Sequence, residues 1–148
     1  MTVTTDVELG RWLRRSPFVS FLGAELVSMD PAAATLSLRS KLRPEFERSA
    51  TTSARWHGGV ISALADTASA FALIMMRSVA APTVNIRVDY LRPAIGEAMT
   101  ATAVVRRAGK SMTFVDVDIH ADDERLVAVA RANFATSEPS APTTGGRP

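Results

Sequence analysis

The stretch from residue 57 to residue 76 constrains the fold of this chain more than any other part of it. It is almost wholly small or apolar, and alanine and leucine, both strong helix formers, recur through it. Apolar residues fall at every angle around such a helix, which predicts burial on nearly all sides. One stripe differs, because Ser62, Asp66 and Ser69 follow a spacing that places them on a single face. A carboxylate in these surroundings is costly unless it is paired, hydrogen-bonded or functional, so Asp66 is a candidate functional residue.

The same stretch approaches the length of a membrane-spanning helix, so a membrane protein is an alternative to consider. A carboxylate near the middle of a span costs about 2.5–3.5 kcal/mol to insert, and the sequence contains no second apolar span. We therefore interpret the stretch as a buried core helix and expect no membrane partner. A length of 148 residues, 47% of them apolar and 22% charged, is typical of one globular domain.

Composition excludes further classes of protein. The chain has no cysteine, so it has neither a disulfide framework nor a thiolate metal site. A formal net charge of +2 is too small to indicate a nucleic-acid partner. The first ten residues are polar and lack the apolar segment of a secretory signal, which leads us to expect a cytoplasmic protein.

Around the central helix the sequence predicts a helical lead-in over residues 1–22 and six strands. Asp6 is placed to cap a first short helix, which Pro17 would end. The predicted strands cover residues 24–29, 32–39, 84–90, 98–107, 111–121 and 126–136. The polar segment 41–56 reads as a long surface loop, and such loops are often functional. Residues 1–136 would form one domain, and 137–148, rich in Ser, Pro, Thr and Gly, a disordered tail.

Two short connections, at residues 108–110 and 122–124, predict hairpins and hence an antiparallel sheet, with the last four strands as a meander. A helix buried on most of its surface needs a sheet curved around it. The predicted class is therefore α+β, with an antiparallel sheet of about six strands wrapped around one long helix. Long edge strands predict pairing with a second copy, giving a dimer with a continuous sheet.

The turn His57-Gly58-Gly59 opens the predicted helix. The first amides of a helix lack intrahelical partners, and the helix dipole is positive there. Glycines let a ligand approach those amides, which makes the turn a candidate site for an anion or a developing oxyanion. A tight turn without such a role is the alternative. Asp66, roughly two and a half turns further on at about 3.6 residues per turn, is a candidate general base or nucleophile, or else a structural buried carboxylate.

Four short motifs of the chain form a recognisable set. They are His57-Gly58-Gly59, Leu64-Ala65-Asp66-Thr67-Ala68, Asp89-Tyr90-Leu91-Arg92-Pro93 and Gly109-Lys110-Ser111. In order and spacing they resemble the hotdog-fold acyl-CoA thioesterases of the PaaI-like, phenylacetate-pathway type, over about residues 20–136. The resemblance implies hydrolysis of an acyl-CoA substrate, without metal or other cofactor, at a site on a subunit interface. It also implies a homodimer through a continuous sheet that assembles further into a homotetramer.

The resemblance implies roles for individual residues. The Gly58 amide would polarise the thioester carbonyl, Asp66 would be the base or nucleophile, and His57 would orient the site. Thr83 matches a position whose hydroxyl assists the water across the interface. The residues assigned to substrate and CoA binding are Gly59, Thr51, Arg106, Arg107, Gly109, Lys110 and Ser111. The basic ones suit CoA phosphates by charge, and a solvated basic turn is the alternative.

One position departs from the family pattern. Family members commonly carry Asn six residues before the histidine of the glycine turn, and here that residue is Thr51. Neither Thr51 nor the neighbouring Thr52 and Ser53 reproduces an amide. The departure motivates an alternative, a hotdog protein that binds acyl-CoA or CoA without turnover. A hotdog enoyl-CoA hydratase is a weaker alternative, because that branch carries an Asp closely followed by a His, and His120 is remote from Asp66.

The acyl group itself is not readable from the sequence. Four large side chains, Trp56, Phe71, Met75 and Met76, are candidates for the wall of an acyl pocket. At these spacings a packed core is the favoured interpretation, since methionine readily fills irregular apolar space.

Overall fold

The structure is a computed structural model that describes residues 5–51 and 54–137. The helices are α1 (Asp6–Arg15), α2 (Pro17–Leu22), a single 3₁₀ turn (Pro44–Phe46) and α3 (Gly58–Arg77). The strands are β1 (Glu25–Asp30), β2 (Thr35–Lys41), β3 (Thr83–Tyr90), β4 (Ala98–Ala108), β5 (Met112–Ala121) and β6 (Leu126–Ala135). Of the tail predicted from residue 137 onward, only that first residue is described, so its disorder stays a prediction.

The six strands form one antiparallel sheet in the order β1-β2-β4-β5-β6-β3. The predicted α+β class, with an antiparallel sheet around one long helix, is confirmed. The meander is wrong for β3, which pairs with β6 at the sheet edge rather than with β4. The connection from β3 to β4 does not form a hairpin. It is instead hydrogen-bonded to the segment that precedes α3. The amide of Trp56 donates to the carbonyl of Ala94 at 3.1 Å, and Gly96 donates to Ala54 at 3.0 Å.

Helix α3 fills the concave side of the sheet. His57 caps its start, and Ser78, in the left-handed conformation at φ 57°, follows its end. Its side chains Leu64, Leu73 and Met75 are fully buried, whereas Val60 and Met76, near its two ends, are only partly buried. By length and composition α3 could cross a membrane, but 61% of its most apolar 18-residue window is buried inside the protein. Predicted burial is therefore confirmed on most sides, and the remaining face is only half-buried.

The N-terminal helices cover one side of this core. Thr5, not Asp6, caps α1: its hydroxyl accepts from the amide of Glu8, whose carboxylate accepts from the amide of Thr5. This reciprocal capping box outcompetes a cap one residue later because it satisfies two free amides at once. Leu9 and Leu13 of α1 enter the core. Pro17 does not simply close α1; it starts α2 at the first helical position, where its missing N–H costs nothing.

The segment 41–56 is less of a surface loop than its polarity predicts. Phe46 is 1% exposed and Trp56 3% exposed, and their rings stack with centroids 6.2 Å apart. The carbonyl of Phe46 accepts from the amide of His57 at 2.8 Å, and the indole N–H of Trp56 donates to the carbonyl of Gly96 at 2.9 Å. These two aromatic residues therefore anchor the backbone that leads directly into α3.

We expect Phe46→Ala to lower the free energy of unfolding by about 3–5 kcal/mol, because it leaves a cavity beneath the start of α3. Urea unfolding followed by circular dichroism measures this. Phe18→Ala is the matched control: Phe18 is 54% exposed, so the same substitution should cost far less. Equal losses in the two variants would contradict the anchoring role of Phe46.

Candidate active site

The first turn of α3 presents the backbone amide of Gly58 as a hydrogen-bond donor without an acceptor among the described residues. The ring Nδ1 of His57 accepts from the amide of Gly59 at 2.9 Å, so His57 acts here as the helix cap. The carbonyl of His57 accepts from the amides of Val60 and Ile61 at 3.0 and 3.3 Å. The amide of Gly58 has no acceptor among the described residues. The Gly58 N–H and the His57 carbonyl belong to the same peptide group. Because that carbonyl accepts two hydrogen bonds, and because the N–H lies at the positive end of the helix, the Gly58 N–H is polarised as a donor.

A groove of about 490 Å³ lies at this turn. It is lined by Arg48, Trp56, Gly58, Gly59, Ile61, Tyr90, Leu91, Arg92, Pro93 and Ala94. Arg48 and Arg92 make no ion pair with any described residue, so the groove carries positive charge that the described part of the chain does not neutralise. A second cavity, of about 350 Å³, shares Gly59 with the groove; His57 lines this second cavity, whose other walls are mainly apolar side chains of α2 and α3.

Asp66 lies half-buried on the open face of α3, and Thr83 contacts it. The hydroxyl of Thr83 donates to Oδ1 of Asp66 at 3.0 Å within the same chain. Ser69, by contrast, is fully buried, and its hydroxyl donates to the carbonyl of Ala65 at 2.8 Å. The three residues predicted to share one polar face therefore differ in exposure: Ser62 and Asp66 are accessible, whereas Ser69 lies in the core.

The structure does not bring Gly58 and Asp66 of one chain together. They are eight residues apart on one helix, which at 1.5 Å per residue is about 12 Å. Groups that act on one carbonyl must each come within about 3–3.5 Å of the reacting atoms. A single chain therefore cannot apply both groups to the same carbonyl.

Two residues at this turn were not among the predicted site residues. The hydroxyl of Tyr90 donates to the carbonyl of Gly58 at 2.8 Å, and the hydroxyl of Ser62 reaches the same oxygen at 3.2 Å. Tyr90 comes from β3, 32 positions further along the chain. Its place in the Asp89–Pro93 motif was the available signal, but no local pattern connects that motif with Gly58.

The hairpin predicted to bind CoA lies at the opposite end of α3. The guanidinium of Arg77, the last residue of the helix, donates to the carbonyl of Gly109 at 3.0 Å. A helix of 20 residues is about 30 Å long, so this hairpin is far from Gly58 of the same chain. Gly109 has a structural reason to be glycine, because a Cβ there would lie 2.7 Å from the carbonyl oxygen of Met112. Ser111 accepts a backbone hydrogen bond from Thr136 at 2.9 Å.

The predicted basic ligands differ in availability. Arg106 is ion-paired with Asp116 at 2.9 Å, and Asp116 also binds Arg131 at 2.6 Å. Arg107 and Lys110 are exposed and make no ion pair with any described residue. Arg107 and Lys110 therefore remain the available cations of this hairpin.

Thr51 lies exposed in the segment before α3. Its hydroxyl lies 2.8 Å from the hydroxyl of Ser49, and its amide donates to the same oxygen at 3.2 Å. Its hydrogen bonds with described residues are to Ser49 and not to the Gly58 turn, and its neighbours at 52 and 53 lie outside the described residues. The candidate acyl-pocket residues Trp56, Phe71 and Met75 belong to the core, and Trp56 also forms part of the groove wall.

An antiparallel six-stranded sheet around one long helix is the architecture of the hotdog fold, and a free amide at the helix start suits acyl transfer. The class that fits both is the hotdog thioester hydrolases. Residues 54–128 match the family model of the thioesterase superfamily. The chain is a thioester hydrolase and belongs to this superfamily.

Individual relatives agree with this assignment. Over 113 residues the chain is 33% identical to the acyl-coenzyme A thioesterase PaaI of Escherichia coli K12, covering 74% of this chain and 75% of that protein. It is 29% identical over 138 residues to the medium/long-chain acyl-CoA thioesterase YigI of Salmonella typhimurium, covering 80% and 84%. The solved structure of E. coli PaaI matches at 25% identity with a TM-score of 0.77, covering 91% of this chain and 95% of that one.

The outer face of the sheet yields a pH prediction. A hydrogen bond from Arg131, and then one from Arg106, hold the pKa of Asp116 below its ordinary value, against the opposing effect of burial. A carboxylate whose pKa is lower in the folded than in the unfolded protein stabilises the fold at any pH above its unfolded-state pKa. This stabilisation is lost as the pH falls through its folded-state pKa.

We therefore expect Asp116→Asn to destabilise the protein at pH 7 and to cost progressively less as the pH falls below the ordinary Asp value of about 3.9. Urea unfolding at pH 7 and about pH 3 measures the difference. Asp118→Asn is the control, since Asp118 is exposed on the same face and makes no ion pair with a described residue. A constant cost of Asp116→Asn across this range would contradict the linkage.

Proposed function

We propose that this protein is an acyl-CoA thioesterase, which hydrolyses a CoA thioester to the free acid and CoA. The observation that carries the proposal is the polarised amide of Gly58, which has no acceptor among the described residues, beside a groove whose Arg48 and Arg92 make no ion pair with any of them. The amide suits the developing oxyanion of acyl transfer, and the arginines suit the phosphates of CoA. The names of PaaI and YigI as acyl-CoA thioesterases support the same substrate class.

In the proposed reaction the thioester oxygen accepts a hydrogen bond from the Gly58 amide. Asp66 either takes a proton from the water that attacks the carbonyl carbon, or attacks that carbon itself to give an anhydride that water then opens. The carbon–sulfur bond breaks, the electron pair leaves with sulfur, and the CoA thiolate takes up a proton. The hydroxyl of Thr83, which donates to Asp66, fixes the direction of the carboxylate.

The distance of about 12 Å between Gly58 and Asp66 supports a site shared between two copies of the chain. The outer edge of β3 is unpaired in the sheet order, and Val84 and Tyr90 on it are 60% and 52% exposed. A second copy that pairs along this edge would bring two α3 helices together, so that Gly58 of one meets Asp66 of the other. We propose a homodimer of this kind, which assembles to a homotetramer in the cytoplasm.

We expect Asp66→Asn to lower kcat by about 10²–10⁴-fold, because it removes the base or nucleophile while keeping the shape of the side chain. The assay is thiol release from short-, medium-, long-chain and aryl acyl-CoAs, with circular dichroism to show that the fold persists. Asp89→Asn is the control, since Asp89 is a carboxylate on the outer sheet face paired with Arg87. Undiminished turnover by the Asp66 variant would refute the proposed mechanism.

Gly58→Pro tests the amide directly. Proline is favoured at the first helical position, and His57, at φ −70° and ψ 135°, already has the conformation of a residue that precedes proline. The variant should keep its fold and lose about 10²–10³-fold in kcat, the usual cost of removing one oxyanion donor.

The shared site predicts complementation between inactive chains. A purified heterodimer of Gly58→Pro and Asp66→Asn chains has one site with both native groups, so it should recover about half of wild-type activity. Each variant homodimer is the control. A heterodimer as inactive as its parents would refute the shared site.

The relatives named as acyl-CoA thioesterases disfavour the alternative drawn from Thr51, a protein that binds acyl-CoA or CoA without turnover, and the same acyl-CoA panel tests it. Submicromolar binding with no thiol release across the whole acyl-CoA panel would establish it. Release of thiol from any member of the panel, abolished in Asp66→Asn, would exclude it.

A further inference from the structure

Two hydroxyl groups meet at the carbonyl oxygen of Gly58. The hydroxyl of Tyr90 lies 2.8 Å from that oxygen, the hydroxyl of Ser62 lies 3.2 Å from it, and the two hydroxyl oxygens are 2.5 Å apart. The ring of Tyr90 also packs on the glycine, because a Cβ built on Gly58 would lie 3.4 Å from the nearest ring atom. We call Tyr90 and Ser62 together the carbonyl clamp.

The number of hydroxyl hydrogens limits the hydrogen-bond arrangements that the carbonyl clamp can form. Tyr90 and Ser62 each bring one hydroxyl hydrogen to three close contacts. Either Tyr90 donates to Gly58 and Ser62 donates to Tyr90, or Ser62 donates to Gly58 and Tyr90 donates to Ser62. In both arrangements the carbonyl of Gly58 accepts at least one hydrogen bond, so removing one hydroxyl leaves the other able to hold it.

We propose that Tyr90 and Ser62 are positioning residues, which hold the Gly58 carbonyl and thereby fix the direction of the Gly58 N–H. The inference rests on the proposed function of that amide. A glycine has no side chain to restrict its φ and ψ, so the backbone at Gly58 depends on contacts such as these for its exact direction. A displacement of about 1 Å in a catalytic group can cost 10²-fold in rate.

Other contacts at this turn act on different groups. The amides of Val60 and Ile61 donate to the His57 carbonyl, the other end of the peptide group that carries the Gly58 N–H, and the His57 ring accepts from the Gly59 amide. The Gly58 carbonyl is the group at this turn that Tyr90, from strand β3, holds. The carbonyl clamp therefore ties the proposed oxyanion donor to the sheet edge at which we place the second copy.

The kinetic test uses Tyr90→Phe, Ser62→Ala and the double variant. Tyr90→Phe keeps the ring against Gly58 and removes only the hydroxyl. We expect each single variant to lose about 2–5-fold in kcat, since the other hydroxyl remains, and the double variant to lose more than about 20-fold, with KM within about 2-fold throughout. Ser69→Ala is the matched control, because it removes a serine hydroxyl that donates to a helix carbonyl away from the Gly58 turn.

A second readout needs no activity. The chain has 8 glycines, so ¹⁵N-glycine labelling gives a simple amide spectrum, in which the Gly58 signal is the one absent from Gly58→Pro. The Gly58 signal should shift or broaden in Tyr90→Phe and more so in the double variant, and stay in place in Ser69→Ala.

The two readouts separate the possible failures. If the wild type releases no thiol, the proposed function fails, and the Gly58 signal still decides whether the carbonyl clamp holds this amide. An unmoved Gly58 signal in the double variant overturns the clamp. So does a loss that appears as a raised KM with kcat unchanged, because that is the behaviour of a residue that only binds substrate.

Discussion

The burial of α3 is the constraint on which the rest of the structure depends. A helix of 20 residues that is apolar on nearly every side is stable in water only inside a cover, and the six-stranded sheet curves to supply it. The cover is incomplete because one curved sheet cannot surround a helix. The face of α3 that carries Ser62 and Asp66 therefore remains half-buried, and the helix start opens onto a groove.

The hydrogen bonds at the start of α3 leave one particular backbone amide, that of Gly58, available as a donor. Every helix leaves its first amides unsatisfied, and capping normally covers some of them. Here the His57 ring takes the Gly59 amide and leaves the Gly58 amide without a described acceptor. The carbonyl clamp then holds the same residue from the other side. These contacts hold the proposed oxyanion donor from two sides, although the turn contains two glycines.

The separation of Gly58 and Asp66 along α3 relates the proposed reaction to the proposed pairing of two chains. Because Gly58 and Asp66 are about 12 Å apart along α3, one chain does not bring these two proposed catalytic groups to the same carbonyl. The unpaired edge of β3, with its exposed Val84 and Tyr90, is where a second copy would supply the missing half. Thr83 contacts Asp66 from the same strand, so β3 carries residues that touch both proposed catalytic groups.

The sequence by itself determined the elements whose signals are local. The apolar run that became α3, the two short hairpins β4–β5–β6, the glycine turn and the isolated carboxylate at Asp66 were all predicted from neighbouring residues. Errors at this level were small, such as the α1 cap at Thr5 rather than Asp6. Only the tertiary structure decided where β3 lies, that Tyr90 reaches Gly58, and that the Gly109 hairpin lies at the far end of α3 from that glycine. The reason is physical: periodicity and turn residues report interactions between residues close in the chain. The edge position of β3 and the Tyr90 contact depend instead on packing between segments some 30 residues apart or more.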